Sequence, residues 1–275
     1  MWSSINILNI LLPFFYLTTF LIYFYDFQKG GRKFFHSKRV FLFLTLFFHF
    51  LYLLMRTIAF DHPPITNVFE IFTVLAFSIS FSYFILELVT DIRGTGPFII
   101  IISILFQIIS SLFIEDLLEV REVLRSNLLG FHVFSALLGY SGITMAAVYG
   151  FLYLILYKDI KLNRFGLVFN RLPSLEVLEK LSFYSAVIGF ILLTVAILVG
   201  IIWLPRAFPG GFSYTDPKLI GTFAVWFLYG IGITFKLLGR WRGKKLIILS
   251  IIGFLLAIFS TMLSNFFAQS FHSFY

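Results

Sequence analysis

The sequence predicts an all-α integral membrane protein, a bundle of about eight transmembrane helices. Sixty per cent of its 275 residues are hydrophobic and only 12% are charged, whereas roughly a quarter of the residues of soluble proteins are charged. Apolar runs of about 20 residues, the length that crosses a hydrocarbon core, recur along the chain. No polar run is long enough to form a separate soluble domain. We therefore expect one polytopic membrane domain over residues 1–275.

The residues that flank the first four predicted spans carry two further predictions. The first has no positively charged leader before Asp26, so we expect a retained helix and not a cleaved signal peptide. The segment from Glu115 to Arg125 mixes apolar and charged residues at helical spacing, which predicts a short helix lying at the membrane interface. The eight runs lie near residues 5–25, 40–60, 67–90, 97–114, 128–157, 181–204, 219–238 and 246–268.

The later spans carry helix-start and helix-packing patterns. Pro173 and Ser174, followed by Glu176, predict the start of a helix that runs into the sixth span. Gly139 and Gly142 in the fifth span predict close helix packing. The loop 205–218 contains Pro and Gly residues and aromatic side chains. It is either a plain connection or an amphipathic shelf for a flat ligand.

Charge predicts the orientation of the helices. Most of the 21 Lys and Arg residues lie in the loops 26–39, 158–180 and 236–245. By the positive-inside rule these loops face the cytoplasm, and both termini and the loop 205–218 face outward. We therefore expect a multi-pass protein of the cell inner (plasma) membrane. The net charge of +8 is spread over these loops, so we expect no nucleic-acid partner.

Ionisable residues at membrane depth are candidates for function. The predicted topology brings His132, His272, Asp216 and Tyr214 to one outer level, where two imidazoles can hold a haem iron by two axial nitrogens. Such haem would be haem b, bound non-covalently, because the chain contains no cysteine.

Two further membrane residues have two interpretations each. Arg56 can face a haem propionate, or it can form a salt bridge with Glu70 between two helices. For His49, both a satisfied hydrogen bond within the bundle and a ligand role stay open.

Four stretches resemble the cytochrome c assembly family of haem-handling membrane proteins, in the family's order from the second span to the C-terminus. The stretches are HPPITNVFEIF (62–72), FHVFSALLGYSG (131–142), LPSLEVLEKLSFYSAVIGFILLTVAILVGIIW (172–203) with DPKLIGTFAVWFLY (216–229), and SFHSFY (270–275).

In that family a tryptophan-rich WWD segment on the outer face presents haem, and histidines from the flanking helices ligate the iron. The resemblance implies that Asp216 is the motif aspartate and that His132 and His272 are the two axial ligands. Phe212 and Tyr214 would form the aromatic rim, because Ser213 and Thr215 occupy the places of motif tryptophans.

A second departure from the family lies in the helix that follows the motif. There, Thr234 occupies the place of an intramembrane histidine of the CcsA-type members. Together the departures favour the HemX-like branch of the family.

The resemblance implies a haem-handling protein for cytochrome c biogenesis and not an enzyme, because two axial histidines leave no open iron position. The resemblance would also imply a CcsB-like membrane partner. The alternative is a HemX-like regulator of tetrapyrrole synthesis that acts on glutamyl-tRNA reductase levels, with the loop 158–180 binding a cytosolic enzyme of haem synthesis. A transporter of a small anionic or amphipathic solute is a third hypothesis.

Overall fold

Long helices form nearly all of the regular structure. The computed structural model describes residues 1–30, 35–92, 94–117, 120, 122–207 and 216–266, and over these residues every regular element is helical. The long helices are α1 (Trp2–Lys29), α2 (Phe35–Phe60), α3 (Val68–Thr90), α4 (Gly96–Phe113), α5 (Asn127–Lys161), α7 (Leu175–Ala207), α8 (Pro217–Leu237) and α9 (Lys244–Phe266), with a short α6 (Leu167–Arg171) and a 3-10 turn (Glu122–Arg125).

The helices confirm the predicted all-α membrane bundle. Within the described part of the chain, seven helices are long and apolar enough to cross a membrane, and α9 lies at the eighth predicted span. Large apolar side chains such as Phe14, Phe50 and Phe227 are more than half exposed on the helix surfaces, as lipid-facing residues must be. The orientation of the termini stays a prediction.

Local chemistry sets the helix ends. Asn67 caps α3 by accepting a hydrogen bond from the backbone N–H of Glu70, and Ser174 accepts one from Val177 at the start of α7. Gly30 ends α1 with a φ of 59°, a left-handed conformation that costs glycine no side-chain clash. The helix start that the sequence predicts at Ser174 is thus confirmed.

The segment that follows α4 differs from its prediction. Residues 114–117 are not helical, and among the described residues that follow before α5, Glu122–Arg125 form the 3-10 turn. The Glu115 carbonyl accepts from Arg56 and Asn67, and the Leu117 carbonyl lies 3.1 Å from a ring nitrogen of His62. Side chains from other segments therefore take the place of helical hydrogen bonds. The interfacial helix predicted over 115–125 was wrong at its start.

The chain divides into two compact units. Unit 1 comprises Met1–Gly130 and Asp159–Pro173, and unit 2 comprises Phe131–Lys158 and Ser174–Tyr275. The single domain expected from the sequence stays a prediction.

Unit 1 is a bundle in which α1 packs on α2 and α4, and α3 packs on α2 and α4. One apolar cluster in it joins α1 and α2 through Ile5, Leu8, Leu12, Tyr52 and Phe60. Between the helices lie many buried polar side chains.

Unit 2 is held together by close helix contacts. A Cβ added at Gly142 of α5 would stand 2.8 Å from the Gly189 Cα of α7, so the two backbones meet where both side chains are hydrogen atoms. This contact confirms the close packing predicted for Gly142. In the same unit, α8 packs on α7 and α9.

Candidate functional site

The six predicted site residues fall into three groups. His272, Tyr214 and Phe212 lie outside the described residues. Arg56 belongs to unit 1, whereas His132 and Asp216 belong to unit 2. The part of the site that the structure describes is therefore built around His132.

His132 of α5 is oriented by one face of α7. Its ring nitrogen Nδ1 lies 2.7 Å from the backbone carbonyl of Ala196. One turn further along α7, a Cβ added at Gly200 would stand 2.9 Å from His132 Cε1. After another turn, the Trp203 ring stacks on the imidazole, with the two ring centroids 6.4 Å apart. The missing side chain of Gly200 thus makes room for the ring beside its hydrogen-bond acceptor.

The bond to Ala196 fixes which nitrogen of His132 carries the proton. A carbonyl oxygen only accepts, so Nδ1 must be the donor. In the neutral ring, Nε2 then holds the lone pair. Metal-bound histidines are commonly oriented in this way, with the second nitrogen donating to a carbonyl or carboxylate. In this tautomer, Nε2 is the ring nitrogen with a lone pair that could bind a metal ion.

Asp216 has a structural task that the sequence resemblance did not reveal. It is the N-cap of α8, and its carboxylate accepts hydrogen bonds from the backbone N–H groups of Lys218 at 2.8 Å and Leu219 at 3.4 Å. Pro217 occupies the first turn, where the missing N–H costs nothing. The residue is 4% exposed. The motif aspartate therefore sets the start of the helix that follows the loop 205–218.

Lys218 is a member of the site that sequence reasoning missed. Lys218 lies close enough to both His132 and Asp216 for charge interactions with each. A cation near His132 would suit an anionic group of a ligand bound there. The sequence feature that could have identified Lys218 is its position directly after Asp216-Pro217.

Arg56 forms the salt bridge with Glu70 that was one of its two predicted interpretations. One Nη atom lies 2.9 Å from a Glu70 carboxylate oxygen, and the other lies 2.9 Å from Asp116. The guanidinium also lies over the Phe60 ring, 4.6 Å from its centroid. Thr66 donates to Glu70 through both its backbone and its hydroxyl. Arg56 is thus held by two carboxylates inside unit 1.

His49 also has partners on both sides of its ring. Its Nδ1 lies 2.9 Å from the Tyr16 hydroxyl, and its Nε2 lies 2.9 Å from the Thr73 hydroxyl. The hydrogen-bonded interpretation is therefore confirmed, and both nitrogens are engaged.

Taken together, the helices define a polytopic membrane protein with an oriented histidine near one end of a helical span. The chain belongs to the cytochrome c assembly protein family, since the family described as "Cytochrome C assembly protein" matches residues 40–272.

Individual relatives agree with the family match. A "Cytochrome c biogenesis protein CcsA" of Heterosigma akashiwo (strain NIES-293 / 8280G21-1) is 25% identical over 260 residues, covering 82% of this chain and 80% of the relative. A protein of the same name from Prochlorococcus marinus (strain MIT 9215) is 26% identical over 270 residues, covering 88% and 86%. A third, from Guillardia theta, is 26% identical over 238 residues, covering 80% and 79%.

Proposed function

We propose that the protein holds haem at the outer face of the membrane for cytochrome c biogenesis, with His132 and His272 as axial ligands. One observation carries the proposal. The hydrogen bond from His132 Nδ1 to Ala196 leaves the Nε2 lone pair for iron, as the neutral ring has only one N–H. The relatives named for cytochrome c biogenesis support this function over the tetrapyrrole-regulator alternative.

The described residues fit one side of a haem site. His132 supplies a ligand nitrogen, Trp203 supplies an aromatic wall, and Gly200 leaves the ring room. Phe212 and Tyr214 complete the proposed rim beside Asp216. We assign the propionate to Lys218 instead of Arg56, because two carboxylates already hold the Arg56 guanidinium.

Two histidine ligands fill both axial positions of the iron, which suits handling of the group and not oxygen chemistry. The chain contains no cysteine, so any attachment of haem to thiols must take place on a partner. We propose haem b, bound non-covalently, and a CcsB-like membrane partner.

The test is the visible spectrum of the full chain purified in mild detergent, before and after haem addition. We expect a low-spin, six-coordinate spectrum that is lost in both His132→Ala and His272→Ala. Free imidazole should restore it in His132→Gly, because the ligand then enters the space of the missing ring.

His62→Ala is the matched control. Both ring nitrogens of His62 face backbone carbonyls, those of Pro63 and Leu117, so this variant should keep the wild-type spectrum. If both His132→Ala and His272→Ala bind haem with an unchanged spectrum, the ligand assignment is wrong.

A further inference from the structure

The short connection between α8 and α9 lies at the level of the lipid headgroups. α8 has 21 residues, which extend about 31 Å at 1.5 Å per residue, close to the thickness of a hydrocarbon core. The residues that follow a helix of this length therefore stand at the membrane surface. Residues 238–245, here called the α8–α9 turn, contain four basic residues and no acidic residue.

The backbone of the α8–α9 turn is held against the end of α8. The backbone N–H groups of Arg240 and Trp241 both donate to the Phe235 carbonyl, at 3.0 and 3.2 Å. Gly239 and Gly243 have φ of 70° and 59°, a conformation that glycine adopts without steric cost. The Trp241 ring stacks on Phe235, with the two ring centroids 4.8 Å apart. The turn is therefore an ordered surface with a defined set of exposed side chains.

The cations of the turn face solvent and form no ion pair with the described carboxylates. Within the described part of unit 2, the ion pairs join Lys236 to Glu179 and Lys180 to Glu176. Glu179 is the carboxylate that packs beside the turn, since a Cβ added at Gly243 would stand 3.9 Å from its Oε2, and Lys236 already pairs with it. Four exposed basic side chains of the turn take no part in these pairs, and they are Arg240, Arg242, Lys244 and Lys245.

Two of these cations lie over aromatic rings. The Arg240 guanidinium lies 6.0 Å from the centroid of the Phe235 ring, and the Lys244 ammonium lies 5.8 Å from that of Tyr157 at the end of α5. An aromatic ring carries no net charge, so such a contact orients a cation without neutralising it. A guanidinium also presents a fork of donors that matches the oxygens of a phosphate. The turn thus keeps its positive charge for an external anion.

Exposed apolar side chains next to the turn indicate which anion fits. Leu237 is 75% exposed and Leu238 is 62% exposed, and both lie within three residues of Arg240. A free phosphate would meet the cations and leave these leucines uncovered. A phospholipid satisfies both, because its headgroup meets the cations while its acyl chains cover the leucines. Trp241 and Tyr157 are of the residue types that are enriched at membrane interfaces.

We propose that the α8–α9 turn binds the headgroup of an anionic phospholipid in the leaflet at that end of the bundle. The lipid phosphate accepts hydrogen bonds from the exposed cations, and the acyl chains lie along Leu237 and Leu238. No covalent bond forms or breaks. This binding site goes beyond haem handling and uses no residue of the His132 site.

The test is the fluorescence of Trp241 in the full chain, embedded in mixed bilayers of phosphatidylcholine and phosphatidylglycerol. One lipid carries bromine on its acyl chains, which quenches a tryptophan that it contacts, and the brominated lipid is then exchanged for the other. The difference between wild type and Trp241→Phe isolates this signal among the four tryptophans of the chain. We expect the turn to prefer phosphatidylglycerol by more than about fivefold, the effect of a single cation at an anionic surface.

Matched charge removals test the cations. Arg242→Gln removes an exposed cation of the turn and should lower the preference by up to about fivefold. Lys180→Gln is the control, because it removes one positive charge from the same unit, but from a side chain that lies 2.8 Å from Glu176. The control should keep the wild-type preference. A combined variant should bind the two lipids equally, and it carries glutamine in place of Arg240, Arg242, Lys244 and Lys245.

Folding is checked separately. The substituted side chains are exposed, so each variant should melt near the wild-type temperature in an uncharged detergent. High salt should weaken the preference, because the Debye length falls to about 3 Å at 1 M ionic strength.

Three results would overturn the proposal. The first is equal quenching by the two lipids in the wild type, which would leave an acidic protein segment as the anion that fits the turn. The second is an equal effect of Arg242→Gln and Lys180→Gln. The third is loss of the preference when inorganic phosphate is added at constant ionic strength, which would identify a free anion as the occupant. Because the haem spectrum is recorded separately, failure of this site leaves the His132 assignment standing.

Discussion

Substitution of Gly200 by alanine tests how α7 orients His132. The new Cβ would stand 2.9 Å from His132 Cε1 and 3.0 Å from Nδ1, whereas ordinary contacts begin at 3.4 Å. The imidazole must therefore move by about 0.5 Å to restore normal contact distances. Movement of that size along the hydrogen bond would stretch the 2.7 Å separation between Nδ1 and the Ala196 oxygen to about 3.2 Å, the long limit for such a bond.

The expected effect is on ligand affinity and not on folding. Loss of the hydrogen bond costs about 1 kcal/mol, and replacement of a glycine inside a helix by alanine returns about 0.5–1 kcal/mol. The melting temperature should therefore change little. Loss of a group that orients a metal ligand weakens metal binding about 10- to 100-fold, so we expect haem affinity to fall by that factor.

The assay is a haem titration of the purified protein, followed by its visible spectrum. Gly230→Ala on α8 is the control, because it brings the same gain in helix stability. Its Cβ would lie 3.3 Å from the Phe190 ring and away from His132. The control should bind haem as the wild type does. If Gly200→Ala also binds haem with wild-type affinity and an unchanged spectrum, the bond to Ala196 does not prepare His132 as a ligand.

Three further substitutions test separate contacts, each by thermal unfolding in detergent. Asp216→Ala should cost about 1 kcal/mol through loss of the helix cap, and Asp216→Asn, which keeps the cap, should cost much less; equal losses would contradict the capping role. Arg56→Met should cost about 3–5 kcal/mol because Glu70 stays buried and unpaired, and adding Glu70→Met should recover most of it. Gly142→Ala should cost about 1–3 kcal/mol by overpacking against Gly189, and a wild-type melting temperature would refute the close contact.

The sequence was sufficient to place the helices because a span is defined by local properties. Apolar length and proline, glycine and capping residues at the ends predict where a helix starts and stops. The fifth span, for example, was predicted over 128–157 and is observed as Asn127–Lys161. The start of the segment 115–125 was mispredicted because the carbonyls of Glu115 and Leu117 contact side chains that are distant in sequence, those of Arg56, Asn67 and His62.

The contacts of the site were less predictable, because they depend on how each helix is rotated about its axis. Composition cannot show that the Ala196 carbonyl faces His132, or that Asp116 reaches Arg56 in addition to Glu70.

Hydrogen bonding separates the described histidines by the chemistry that each can perform. His49 bonds through both ring nitrogens to side-chain hydroxyls, and both nitrogens of His62 face backbone carbonyls. A metal ion could bind either ring only after one of these contacts breaks. Among the described residues, His132 bonds only through Nδ1, to one backbone acceptor, so the proposed iron could bind its Nε2 lone pair while the orienting bond stays intact. Burial alone does not distinguish these rings. They differ in the number of ring nitrogens that contact the protein.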